Sequence, residues 1–128
     1  MDTLSSTSIC RLSGASYRQL DYWTRTGVVV PSTAEAHGSG TQRRWSVDQV
    51  RVLTLLVRLS GRGCQSEALR AAARAAELLP DEVWSARVVV NLDGEIRPII
   101  GSDDDGWVIN LARCNARTEA LRRELVAA

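Results

Sequence analysis

Two helix-opening signatures set around a glycine-rich stretch narrow the fold of this chain more than anything else in it. Ser16 with Gln19, and Ser46 with Gln49, both read S-x-x-Q. In this capping box the two side chains accept from backbone N–H groups that a first helical turn leaves orphaned. The first box predicts a helix over 17–26 that stops at Gly27, and the second a helix over about 47–60. Between them, Val28-Val29-Val30-Pro31 reads as a short strand, His37-Gly38-Ser39-Gly40 as a loop and Thr41 to Trp45 as the returning strand. Together these make a hairpin with a glycine-rich tip. Ahead of them, residues 5–13 form a short helix with Ile9 and Leu12 three apart, ended by Gly14.

Periodicity assigns the faces. In the helix after Ser16, Leu20 and Trp23 mark the buried side, while Tyr17, Arg18, Asp21, Tyr22 and Arg25 form one outward face. The helix after Ser46 is apolar around most of its girth and keeps only a narrow polar stripe of Asp48, Arg51, Thr54 and Arg58, which makes it a central helix packed on two sides. An Ala- and Leu-rich helix follows over 66–79, with Pro80 beyond its end. The texture then changes. Ala86 to Leu92 is a Val-rich strand, Asp93-Gly94 a two-residue hairpin turn, and Glu95 to Ile100 the return, where Pro98 implies an edge strand or a local break. Gly101 to Gly106 is an acidic loop, and Trp107 to Leu111 a third strand. A last helix spans about 115–126, with Thr118, Leu121 and Leu125 in register and a Glu119–Arg123 pair. The fold class is α+β: an N-terminal winged helix-turn-helix over 1–80, then a small C-terminal α/β element over 81–128, divided near Pro80 to Ser85.

Charge divides the same way. Residues 1–76 carry ten Arg against five acids, a balance of +5; residues 77–128 carry six Arg against ten acids, a balance of −4. An anionic partner for the first part follows from this asymmetry. Every basic residue is Arg. A GC-rich genome is the simplest cause, and the choice also suits forked contacts to phosphate or guanine. Cys10, Cys64 and Cys114 are odd in number and widely spaced, so they read as buried or half-buried free thiols rather than a disulfide framework or a zinc site. No apolar run is long enough to span a membrane, and Met1 to Ser5 does not open a secretory signal, so the expected compartment is the cytoplasm. A lone His in a glycine-rich loop makes no Ser-His-Asp set, and there is no P-loop or GxGxxG. The expectation is a protein that is not an enzyme and that uses neither cofactor nor metal. Trp23 and Trp45 read as core anchors, and Trp107 as a core residue covering the sheet or, second, as lining a small pocket. Asp103-Asp104-Asp105 reads as a solvated loop without calcium-site spacing.

Two short helices followed by a glycine-tipped hairpin place the second helix in a major groove. Arg18 would fork onto a guanine, Gln19 would read adenine, and Ser16, Tyr17 and Tyr22 would bond phosphates. Arg25 would hold the backbone or a base. Asp21 repels phosphate, so it would either accept from cytosine or pair with Arg18 or Arg25. Arg43 and Arg44 would lend charge to the wing. His37, at the wing tip, reads first as a solvated loop residue and second as a minor-groove or phosphate contact.

The wording of the chain sharpens this. Ser16-Tyr17-Arg18-Gln19-Leu20-Asp21-Tyr22-Trp23, Thr26-Gly27-Val28-Val29-Val30-Pro31-Ser32, and Gly38-Ser39-Gly40-Thr41-Gln42-Arg43-Arg44-Trp45-Ser46 resemble the MerR family of regulators. More narrowly, they resemble an actinobacterial FtsR-like branch of it. The resemblance covers about 12–80, and Ala86 to Ile100 with Trp107 to Leu111 look like that branch's small C-terminal domain. It implies a homodimer on a palindromic double-stranded DNA site, transcriptional control, and Tyr17, Arg18, Tyr22, Arg43 and Arg44 on DNA. RNA polymerase or a small-molecule effector are further partners it leaves open. Two departures stand out. Many members carry a basic residue where this chain has Asp21, and the long dimerising coiled coil of the best-known members is absent. Dimerisation would then use another surface, and residues 81–128 would serve dimerisation or bind a ligand or partner. An excisionase-like DNA-bending factor, or a protein-interaction module built on the acidic part, are the alternatives.

Overall fold

The computed structural model describes residues 3–33, 43–99 and 105–127. The described chain runs β1 (Thr3–Ser5), α1 (Ser6–Ser13), α2 (Tyr17–Arg25), β2 (Arg44–Ser46), α3 (Val47–Gly61) and α4 (Ser66–Glu77). A 3₁₀ turn (Asp81–Ser85) leads into β3 (Arg87–Asn91), β4 (Ile96–Pro98), β5 (Gly106–Asn110) and α5 (Leu111–Ala127). The mixed α+β class and the N-terminal helix-turn-helix are as expected.

Both capping boxes form in full, at Ser16 and at Ser46. Past α2 the backbone reverses at Gly27, whose φ of 77° lies in the left-handed region. Val28 N–H then bonds the Trp23 carbonyl at 2.8 Å, and Gly27 N–H bonds the Thr24 carbonyl at 3.3 Å. This six-to-one and five-to-two pairing is a Schellman stop, and it explains the first correction. Val28 to Val30 do not form a strand. Their first two side chains are buried beneath α2, leaving 3% and 4% exposed, and the backbone donors of both bond the Trp23 carbonyl instead of a sheet. The strand partner of β2 is β1, with Leu4 opposite Trp45. At the root of the expected hairpin, Thr33 pairs with Arg44 among the described residues. The wing tip, His37 included, lies outside the described residues.

In the second half, a three-stranded antiparallel sheet has the order β4-β3-β5, so Pro98 does sit on an edge strand. The turn after β3 is one residue longer than expected. Asn91 pairs with Glu95, Gly94 N–H returns to the Asn91 carbonyl at 2.9 Å, and Gly94 takes φ 85°. This is a type I turn closed by a glycine bulge. The final helix starts four residues earlier than predicted. Leu111, Cys114 and Thr118 are its fully buried face, Leu125 is exposed, and Glu119 pairs with Arg122 rather than Arg123.

A single core runs through α1, α2, α3, α4, the sheet and α5. Trp45, Trp84, Leu53, Leu55, Leu56, Leu59, Ile109 and Leu111 are among its fully buried side chains. Each such side chain contributes about 1.5–3 kcal/mol through lost water contact. Trp23 and Trp45 are core anchors, and Trp45 Nε1 donates to Ser6 Oγ at 3.0 Å. Trp107 is half-buried and donates to the Arg62 carbonyl at 3.3 Å. The polar stripe of α3 is not a solvent face, because the 3₁₀ turn and α5 cover much of it. Arg51 is only 6% exposed, bonds Asp81 at 2.9 Å and Asn115 at 3.3 Å, and lies 4.6 Å from the centre of the Trp84 ring. Asp48 meets Arg122 at 2.7 Å, and Thr118 Oγ1 donates to the Val47 carbonyl at 3.3 Å. Asp48 and Arg58 of the stripe remain exposed, while Arg51 is buried and Thr54 half-buried.

Candidate nucleic-acid interface

Helix α2 is held at both ends and along one side. Gln19 N–H donates to Ser16 Oγ at 3.0 Å, and Ser16 N–H donates to Gln19 Oε1 at 3.1 Å. Leu20 and Trp23 anchor it in the core. At its C-terminal end Arg70, from α4, donates to the Thr26 carbonyl at 2.7 Å. That contact satisfies an end carbonyl and places a cation at the negative end of the helix dipole. Sequence reasoning missed Arg70, since only the tertiary fold brings this α4 side chain to the Thr26 carbonyl.

The outward face is as periodicity predicted. Tyr17 is 52% and Tyr22 47% exposed. Arg18 is exposed and makes no hydrogen bond or ion pair with another described residue, which leaves its fork available. Ser16 and Gln19 are exposed or half-exposed at the start of the helix, but both side chains serve the cap. Bidentate reading of adenine by Gln19 would require its amide oxygen to leave that bond.

Asp21 gathers the remaining cations of this surface. Its Oδ2 accepts from Arg25 Nε at 2.9 Å, and its Oδ1 accepts from Arg43 Nη1 at 3.1 Å. The Arg43 and Arg25 guanidiniums hold the Asp21 carboxyl below the usual carboxylate range. Of the two pairings expected for Asp21, the structure makes the one with Arg25 and adds one with Arg43. Arg43 therefore stands beside α2. Arg44 turns the other way, donating from Nε to Thr3 Oγ1 at 3.1 Å and from Nη2 to the Thr3 carbonyl at 2.9 Å. The wing root is tied down by Gln49, which donates to the Val30 carbonyl at 2.6 Å and accepts from Ser32 Oγ at 2.8 Å.

The profile of the MerR HTH family of regulatory proteins matches residues 4–76. The chain belongs to the MerR family. Curated relatives include HTH-type transcriptional regulators of Mycobacterium bovis and of two strains of Mycobacterium tuberculosis. Each is 46% identical over 65 residues, a stretch covering 51% of this chain and 29% of the relative. The chain thus matches less than a third of the length of these relatives. Within this MerR-family chain, the matched region takes in β1, α1, α2, β2, α3 and nearly all of α4, and leaves the small sheet and α5 outside.

Other chemistry has little footing among the described residues. No group of three or more His, Cys, Asp or Glu is placed to hold a metal ion there, and no helix is long and apolar enough to cross a membrane. Burial pushes the thiols of Cys10 and Cys64 up, and that of Cys114 to about 11, so they are protonated at neutral pH.

Proposed function

We propose that this protein binds double-stranded DNA sequence-specifically and regulates transcription, acting as a homodimer. One observation carries the reading: α2 is capped and anchored in the core, yet presents Tyr17, Tyr22 and an Arg18 without a partner among the described residues on one exposed face beside the wing root. Arg18 reads a base, and Tyr17, Tyr22 and Ser16 position the backbone. Arg25, Arg43 and the wing-tip His37 add phosphate contacts around them, and Arg44 would join them by leaving Thr3. The relatives' names as transcriptional regulators support this role. The FtsR-like assignment within the family rests on the wording of residues 16–23, 26–32 and 38–46 and on the small sheet that follows the helix-turn-helix. Dimerisation falls to the C-terminal part. The inner face of α5 is taken up by α3, while Leu92, Val108 and Val126 are exposed elsewhere in that part. The N-terminal part works inside the cell on DNA, and the family role is regulatory rather than catalytic.

The test is enrichment of duplexes from a randomised pool, followed by titration of the enriched duplex and of random duplex at two salt concentrations. Arg18→Ala should cost about 1–3 kcal/mol of discrimination between the two. Arg43→Ala should weaken the enriched duplex and reduce its salt slope by about one, with a smaller effect on the random duplex. Equal losses on both duplexes for Arg18→Ala would remove that residue from base reading. Failure to enrich any sequence would remove specific recognition altogether.

A further inference from the structure

A carboxylate in the middle of a DNA-facing surface needs a reason. Fold stability does not supply one: α2 is already capped by Ser16 and Gln19, closed by the Schellman stop at Gly27, and anchored by Leu20 and Trp23. The exposed Arg25 pair adds little to that. The geometry is more specific than a helix-surface pair. Each oxygen of Asp21 is engaged by a different arginine, one four residues along the same helix and one from the wing root twenty-two residues away. The Arg43 side chain is 18% exposed in this arrangement, against 65% for Arg25. A single acid thus ties the helix to the wing and sets the orientation of two of the cations on this surface.

We propose that Asp21 is a specificity-determining positioning residue: it holds Arg25 and Arg43 against each other and restrains their attraction to arbitrary phosphates. The proposal rests on the DNA-binding reading above. Phosphate attraction is independent of sequence and strengthens with each cation that neutralises a phosphate. An arginine in a charge-assisted hydrogen bond to a carboxylate must give that bond up before it can follow a phosphate freely. The carboxylate itself also repels the backbone. Asp21 therefore weakens every complex in which the duplex does not seat well enough to use Arg25 and Arg43 as they are already oriented. A duplex that does seat this way meets the two guanidiniums in place. Specificity is a difference between two affinities, and depressing the non-specific one raises it as effectively as adding a contact.

The experiment uses the full chain and two fluorescent duplexes of about 30 base pairs, one random and one enriched from a randomised pool by the wild-type protein. Anisotropy titrations run at about 50 and 200 mM salt, which brackets the range where counterion release is steep. Asp21→Asn should bind the random duplex about tenfold more tightly at the lower salt, with a salt slope steeper by about one. The ratio of enriched to random affinity should fall accordingly. Asp21→Glu should keep the ratio close to wild type, because it restores the charge. In an Arg43→Ala background the gain from Asp21→Asn should shrink, since one of the released cations is gone. Asp21→Ser is the second removal of charge should the Asn variant prove unfolded by circular dichroism. A folded Asp21→Asn or Asp21→Ser protein with unchanged random-duplex affinity and slope would overturn the proposal. So would a parallel loss of affinity for both duplexes. Wild-type protein that binds neither duplex in a salt-dependent way would instead overturn the DNA-binding reading, and this proposal with it.

Discussion

Replacing Arg51 with alanine tests whether the helix-turn-helix and the C-terminal part form one cooperative unit. Arg51 lies on the central helix α3 and is 6% exposed. Its guanidinium reaches Asp81 in the 3₁₀ turn and Asn115 in α5, and it sits 4.6 Å from the Trp84 ring centre. Truncation removes three parts of this joint. The cation–π contact, well shielded from water, is worth about 0.5–2 kcal/mol. Asn115, itself buried, loses the donor to its amide oxygen at a cost of about 1–3 kcal/mol. The buried methylenes leave a gap costing about 0.8 kcal/mol for each CH₂. The exposed Asp81 carboxylate returns to water and is left out of the total. Together these give roughly 3–7 kcal/mol, a large part of the 5–15 kcal/mol that holds a typical domain. With a urea slope near 2 kcal/mol/M, the midpoint should fall by about 1.5–3.5 M. Tryptophan fluorescence and far-ultraviolet circular dichroism should follow one shared transition in the wild type. A loss below about 1 kcal/mol would show that this joint does not hold the two parts together. Two separated transitions in the wild type would show the same.

Two further changes probe other joints. Gly94→Ala places a Cβ against the Ala68 carbonyl oxygen and within 2.9 Å of Ala71 Cβ, at a residue whose φ is +85°. The β3–β4 turn must then back away from α4, lowering stability by about 1–3 kcal/mol in thermal melts. A melting temperature equal to wild type would refute the close approach. The buried thiol of Cys114 has its pKa raised from an ordinary 9.0 to about 11, so the folded chain holds that proton more tightly than the unfolded chain. Stability should therefore be intact below pH 9 and decline as pH rises from about 9 to about 11, by up to about 3 kcal/mol. Cys114→Ala should flatten this alkaline limb in urea titrations, and an unchanged limb would place the titration elsewhere.

What was legible in the sequence was local. Both capping boxes, the Gly27 stop, the faces of α2 and the edge position of Pro98 depend on neighbours a few residues apart. Local hydrogen-bond and steric rules are enough to set these. The failures share one cause. Val28 to Val30 have strand propensity, but burial beneath α2 and the Trp23 carbonyl outcompete a sheet partner. The true partner of β2 is a three-residue strand at the other end of the helix-turn-helix, too short to signal itself. Arg51 read only as part of a narrow polar stripe, because periodicity records polarity and not what packs over it.

The candidate interface divides along the same line. Which side chains of α2 face outward follows from its 3.6-residue repeat, so Tyr17, Arg18 and Tyr22 were already identifiable in the unfolded string of letters. Which cations on that surface are free was decided only by tertiary structure. Among the described residues Arg18 has no partner, Arg25 and Arg43 share Asp21, and Arg44 is turned toward Thr3. The pattern along a chain specifies which face a residue occupies, but pairing over 22 or 41 residues exists only once the backbone has brought the partners within bonding distance.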